Sequence, residues 1–171
     1  MLKEIIPGTS RVAILANHDI NASQLRELNR VAGSLSVDIR AMDVKSANDL
    51  DGAFDVSKSW RADALVVLSN PLSLAYRTRI GNLAEKASLP TIYLYRAHVD
   101  AGGLISYGPD LPDMFRRCGG YVGRILGGTM PTDLPIERPA RFDLVVNLKT
   151  AKSLGITIPE TILVRADAVI E

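Results

Sequence analysis

The chain of 171 residues has one cysteine, two histidines and no marked excess of either charge. Cys118 alone can form neither an intramolecular disulfide nor a cysteine-based metal site. It is placed in the middle of a helix beside Gly119 and reads as a small packed hydrophobe. Lys and Arg number 20 against 19 acids, for a net charge of +1, and no run of five or six basic residues occurs. Nucleic acid and anionic membrane surfaces are thereby disfavoured as partners. No apolar stretch approaches the roughly 18 residues that span a bilayer. The opening "MLKEIIPGTSR" lacks the apolar core and cleavage site of a signal peptide, so a soluble chain without an export address is expected.

What is present is an alternation of strand-like and helix-like segments. "RVAILAN" (11–17), "VDIRAMDV" (37–44), "ADALVVLS" (62–69), "PTIYLY" (90–95) and "GLISYG" (103–108) are short apolar runs suited to buried parallel strands. Between the first two, Leu25, Leu28, Val31, Ala32 and Leu35 recur at helical intervals, behind Asn21 and Gln24 at capping-box spacing. Ser46 and Asp49 open a second helix, with Leu50, Ala53 and Phe54 on one face. Pro71 suits the first turn of a helix running towards Ser88. Asp110 is placed to cap a helix that buries Met114, Tyr121, Val122, Ile125 and Leu126 and that "GG" (127–128) ends.

After residue 128 the character changes. "TMPTDLPIERPARF" (129–142) carries three prolines and reads as an extended crossing segment. "DLVVN" (143–147) is a sixth strand, "KTAKSLG" (149–155) about two helical turns closed by Gly155, and "ADAVIE" (166–171) a last short turn. The division expected is an α/β lobe over 1–128 and, over 129–171, a crossing segment with a terminal strand and helix packed on the lobe or on a partner.

Short connections between alternating strands and helices predict an α/β fold: three layers, a doubly wound, mainly parallel sheet covered on both faces. Ligands in such sheets bind beyond the carboxyl ends of the strands, at a switch in strand order. The loops to watch are therefore 17–21, 69–72, 95–98 and 107–110. The first of them, "NHDIN", has no glycine, and the GG pairs elsewhere lack the spacing of a dinucleotide-binding turn, which disfavours such a cofactor. Ser69 and Asn70 stand where a receiver domain would carry its phosphoacceptor Asp. His18 and His98 lack a nucleophilic Cys or Ser partner. A metal site from His18, Asp19 and His98 matches no ligand spacing. Neither catalytic residues nor cofactor are expected. Asn17, Asn21, Ser69, Asn70 and Asp110 offer short polar side chains and helix N-termini that can hold a small polar molecule or, read structurally, serve as caps and turn residues.

Several stretches, taken in order, resemble one family: "IPGTSRVAILAN", "ADALVVLSNPLSLAYRTRI", "LPTIYLYRAHVDAGGLISYGPDL", "YVGRILGGTMPTDLPIERPARFDLVVNLKTAKSLGITIP" and "ILVRADAVIE". The chain is similar to ABC-transporter substrate-binding proteins of the tryptophan/aromatic-amino-acid type, with a flavodoxin-like, type I periplasmic-binding lobe. Family members are about twice as long and begin with a secretion signal and a first lobe; the resemblance covers their second lobe, and Met1 falls in what resembles an interdomain helix. A smaller departure is "NHDIN", where relatives tend to carry "NP" turns. The resemblance implies a non-enzymatic, periplasmic solute-binding component of an importer, with a permease as partner. Its ligand would be an amino acid or small carboxylate clamped between two lobes. The ligand-binding residues expected are Asn17, Ser69, Asn70, Tyr95, Tyr107 and Asp110, with 96–103 and 129–140 as hinge candidates. The second expectation is a sensing or self-associating module derived from such a lobe, for instance a homodimer. The segment "LVVNLKTAKSLGITIP" (144–159) is structural on either view: Asn147 caps, Leu148, Ala151 and Leu154 face inward, and Lys149 and Lys152 face solvent.

Overall fold

The computed structural model describes residues 1–171. Seven strands form one sheet: β1 (Arg11–Ala16), β2 (Asp38–Asp43), β3 (Ala64–Val67), β4 (Thr91–Tyr93), β5 (Ile105–Pro109), β6 (Phe142–Asn147) and β7 (Ala168–Ile170). Nine helices accompany them: α1 (Leu2–Ile5), α2 (Ala22–Ala32), α3 (Asp49–Ser59), α4 (Pro71–Ala75), α5 (Arg77–Lys86), α6 (Arg96–Asp100), α7 (Leu111–Leu126), α8 (Leu148–Ser153) and α9 (Glu160–Leu163). The strand order is β2-β1-β3-β4-β5-β6-β7. All neighbours are parallel except β5 and β6, where Ile105 stands opposite Val146 and Pro109 opposite Phe142. Order 2-1-3-4-5 places the topological switch between β1 and β3.

β1 is buried on both faces because successive side chains of a strand point to opposite sides. Ala13 and Leu15 enter a core completed by Leu50, Ala53 and Phe54 of α3 and by Ile80 and Ala84 of α5. Val12, Ile14 and Ala16 form the opposite core, against Leu25 and Leu28 of α2. A third cluster joins Ile105, Leu144 and Val146 to Ala151 of α8 and Ile162 of α9.

Four expectations are corrected. The helix after Pro71 is broken at Tyr76 into α4 and α5. Residues 168–170 are a strand, not a turn, because Asn147 and Ile170 come into register beside β6. Segment 96–103 is no open crossing: α6 lies in it, with His98 and Val99 buried against the sheet. The largest difference concerns α7, which buries none of its side chains. Phe115 is 73% exposed, Val122 54% and Leu126 83%, and Cys118 is exposed as well. The helical spacing of these residues creates an apolar face that segment 131–139 borders at Met114, Tyr121 and Ile125, while Phe115, Val122 and Leu126 stay largely exposed.

Candidate functional site

The carboxyl ends of β1 and β3 are tied together by amides. Asn21 is fully buried: its Oδ1 accepts from the Asn17 N–H at 3.0 Å and from Asn70 Nδ2 at 3.1 Å, and its Nδ2 donates to the Ser69 carbonyl at 3.1 Å. The expected capping role of Asn21 fails, since it makes no side-chain cap bond. The burial explains this: Asn21 joins two loops at the switch point instead of closing its own helix.

Asn17 Oδ1 accepts from the N–H groups of Asp19 and Ile20, folding the loop upon itself. The loop is also pinned from outside. The His18 N–H donates to Asp43 Oδ1 at 2.9 Å, and Lys45 Nζ donates to Asp19 Oδ2 at 2.8 Å. That lysine holds the Asp19 carboxyl below its usual range. Asn70 is buried and caps α4: its Oδ1 accepts from the Ser73 N–H at 2.9 Å, while Ser73 Oγ accepts from the Asn70 N–H at 3.0 Å. Asn17, Ser69 and Asn70 therefore stand together at the switch point. The Asn70 amide and the Asn17 side-chain oxygen are engaged within the chain, and Ser69 is left half-exposed.

A second group lies over β4 and β5. Tyr95, Arg96, Ala97 and Asp100 form one wall of a cavity of about 530 Å³, and Gly108, Pro109, Asp110 and Asp143 line another part. Asp110 caps α7, its Oδ1 accepting from the Asp113 N–H at 3.0 Å. Arg96 pairs with Asp100 at 3.4 Å. Burial first, then the charges of Asp110 and Asp167, push the Asp143 carboxyl above its usual value. Tyr95 and Asp110 thus share this cavity, whereas Tyr107 does not. It precedes Gly108 on β5 and so points to the opposite face, where its ring stacks on Phe142 at 5.8 Å. Arg96, Asp100 and Asp143 were not singled out from sequence. Asp143 reaches the cavity through the antiparallel β5–β6 pairing, for which the chain carries no local signal.

The histidines are placed apart from each other. His98 is 1% exposed within α6, stacked on Tyr93 at 4.9 Å, with neither ring nitrogen hydrogen-bonded. Burial holds it below the ordinary imidazole value. No group of three His, Cys, Asp or Glu side chains is placed to hold a metal, so His18, Asp19 and His98 form no such site. No helix is long and apolar enough to cross a membrane.

Comparison with known proteins defines the class to which this chain belongs. The family model described as ABC transporter substrate binding protein matches residues 1–170, and the chain belongs to that family. No curated protein is similar enough to count as a relative. Among solved structures, a conserved domain protein from Vibrio cholerae is 26% identical, with TM-score 0.89, over 98% of this chain and 57% of its own. An ABC domain from Streptococcus pneumonia in complex with L-Trp is also 26% identical, with TM-score 0.90, over 99% of this chain and 58% of its own. The open, ligand-free substrate-binding protein CD0873 from Clostridium difficile shares the fold, at 19% identity and TM-score 0.74. The chain spans less than two thirds of the length of each of these solved structures.

Proposed function

We propose that this chain is the solute-binding lobe of an ABC-type importer, holding a small molecule such as an amino acid over the carboxyl ends of β1, β3, β4 and β5. The observation that carries the reading is the ligand-sized cavity at that edge, beside an ordered switch point, in a chain of this family. Cavities of about 300–1,000 Å³ are the usual size for small ligands. The L-Trp held by the Streptococcus pneumonia relative supports an amino acid as ligand. Ser69, Tyr95 and Asp110 are the residues proposed to reach it. Asn17 and Asn70 contribute by fixing the loops, and Tyr107 from the reverse face of β5 is the least favourably placed.

Binding without chemistry suits this site, so the reading is non-enzymatic, with a permease as partner and the periplasm as location. Residues 1–128 act as the lobe and 129–171 as its extension. A second lobe closes over the cavity about the 129–140 segment. The bare face of α7 favours one other reading, a self-associating module.

The deciding experiment is the melting temperature of the purified chain with amino acids, amines and small carboxylates, alongside its mass in solution. Ligand at a hundred times Kd stabilises by about 2.7 kcal/mol, or roughly 5–11 °C for a domain of this size. A shift confined to one compound class supports solute binding. No shift together with a stable dimer supports the second reading.

A further inference from the structure

Helix α7 and the segment that follows it form an arm between two adjacent strands. The arm leaves the sheet after Pro109 and rejoins it at Phe142, the residue that pairs with Pro109 in the ladder. The Asp110 N–H closes its base on the Arg141 carbonyl at 3.2 Å. One flank of α7 holds the returning segment: the Tyr121 hydroxyl donates to the Pro135 carbonyl at 2.5 Å, and Arg117 pairs with Glu137 at 3.0 Å. The next flank is bare. Phe115, Val122, Ile125 and Leu126 are exposed on the helix, and Met130 and Ile136 on the returning segment. Ile125 and Ile136 border the same shallow cavity, so the two sets of side chains adjoin. Together they leave on the order of 600 Å² of apolar surface in water, at the top of the roughly 300–600 Å² found for the largest patch on a typical monomer.

The shape of this face is as informative as its area. Residues four apart on a helix form ridges, which pack into the grooves of a second helix. On α7 the row Cys118, Val122, Leu126 is a ridge. The neighbouring row starts with Phe115 and continues as Gly119, Gly123 and Gly127, which makes it a groove. Every residue of both rows is exposed. Within the chain these glycines have no packing reason, since a Cβ on Gly119 or Gly123 would meet nothing within 4 Å. Glycine weakens a helix interior, and close approach of another backbone is what it permits in return. Neither row carries a charge. The arginines of α7 are engaged elsewhere: Arg116 with Asp113 at 2.8 Å, Arg117 with Glu137, and Arg124 over the Tyr121 ring at 4.5 Å. A charge-poor centre of this kind suits another apolar protein surface and not an acidic or nucleic-acid partner.

We propose that α7 is the contact surface of a homodimer, in which the ridge Cys118–Val122–Leu126 of each copy packs into the glycine groove of the other. Ridge and groove lie side by side on one helix. A two-fold axis therefore satisfies both at once, the self-complementarity that a symmetric dimer requires. Two copies bring together on the order of 1,200 Å² of apolar surface, enough for the lower end of specific, stable interfaces. The inference deepens the self-association reading above by naming its partner and its surface, and it stands apart from solute binding.

The test is sedimentation of the whole chain over a wide range of concentration, for the wild type and for Gly119→Leu. The wild type sediments at twice the chain mass at high concentration and dissociates on dilution. Gly119→Leu fills the groove, and the dimer dissociation constant rises about tenfold or more. The same substitution does not lower the melting temperature of the dilute, monomeric chain, because the new side chain points into open space and leucine favours helix over glycine. That combination separates a lost interface from a damaged fold. The lone thiol supplies a second readout: alkylation of Cys118 slows severalfold between dilute and concentrated wild-type protein. A chain that stays monomeric at every concentration overturns the interface and the self-association reading together, and leaves solute binding to its own test. A dimer that Gly119→Leu does not weaken overturns α7 as its surface and leaves self-association through another face. If Gly119→Leu fails to fold, the wild-type thiol decides: an alkylation rate independent of concentration overturns the proposal.

Discussion

Asn21 shows how far a short-range pattern reaches at the scale of one residue. Its distance from Gln24 fits a capping box, yet the contacts that determine its role come from Ser69 and Asn70, far along the chain. That role was not legible, because it exists only once β1 and β3 are neighbours. Asp110 and Asn147 were legible, since each bonds to a backbone N–H three residues on. Substituting Asn21 with Ala leaves the buried Asn70 Nδ2 and the half-buried Asn17 N–H without their acceptor. Each orphaned group costs about 1–3 kcal/mol, so Asn21→Ala is expected to lose about 2–6 kcal/mol in urea denaturation. A loss within 0.5 kcal/mol, the range of about ±0.5 kcal/mol usual for surface changes, would contradict the role of Asn21 as the tie between the loops.

Among the elements, α7 carries the opposite lesson. Leu111, Phe115, Cys118, Val122 and Ile125 recur at alternating four- and three-residue steps, the pattern of a helix that packs against something. Periodicity reports that a face exists, not what covers it. Part of the face borders an apolar cavity of about 390 Å³, where Met114, Tyr121 and Ile125 meet Leu134 and Pro135 of the crossing segment. Phe115 and Leu126 line no part of it. Replacing both with Gln should leave the melting temperature of the chain within the range of ordinary surface changes. The same double variant should reduce concentration-dependent self-association in light scattering, since large exposed apolar patches drive association. A melting temperature that drops by many degrees would mean that α7 packs on its own lobe. By contrast α8, with Ala151 buried and Lys149 and Lys152 exposed, was legible in full, because the strand before it and Gly155 after it fix its ends locally.

For the molecule as a whole, regular alternation made the parallel part of the sheet readable, because crossover helices leave few ways to arrange it. Residues 143–147 were readable as a strand, but the antiparallel pairing of β6 and the terminal strand β7 were not, since the path of a proline-rich segment has no periodic signature. That pairing is what brings Asp143 beside Asp110. The fold also encloses His98, and this sets how stability responds to acid. Its folded-state value lies below the ordinary 6.5, with burial the largest cause. Well above pH 6.5 the imidazole is uncharged in both the folded and unfolded chain and contributes no pH dependence. Below about pH 6.5 the unfolded chain takes up the proton first, so stability falls as pH drops towards the folded-state value. Asp143 acts in the opposite sense, because burial and the neighbouring carboxylates raise its value, so its protonation relieves repulsion in the folded chain. The His98 contribution is isolated by comparing the wild-type chain with a His98 variant between about pH 7.5 and 5.5, since Asp143 is common to both. His98→Phe retains an aromatic ring against Tyr93 and removes both unpartnered nitrogens. Its urea midpoint should change less across this interval than that of the wild-type chain, so that the two curves converge or cross as the solution is acidified. Parallel curves would show that His98 titrates equally in the folded and unfolded states, and that α6 opens to water far more readily than its packing against β4 and β5 implies.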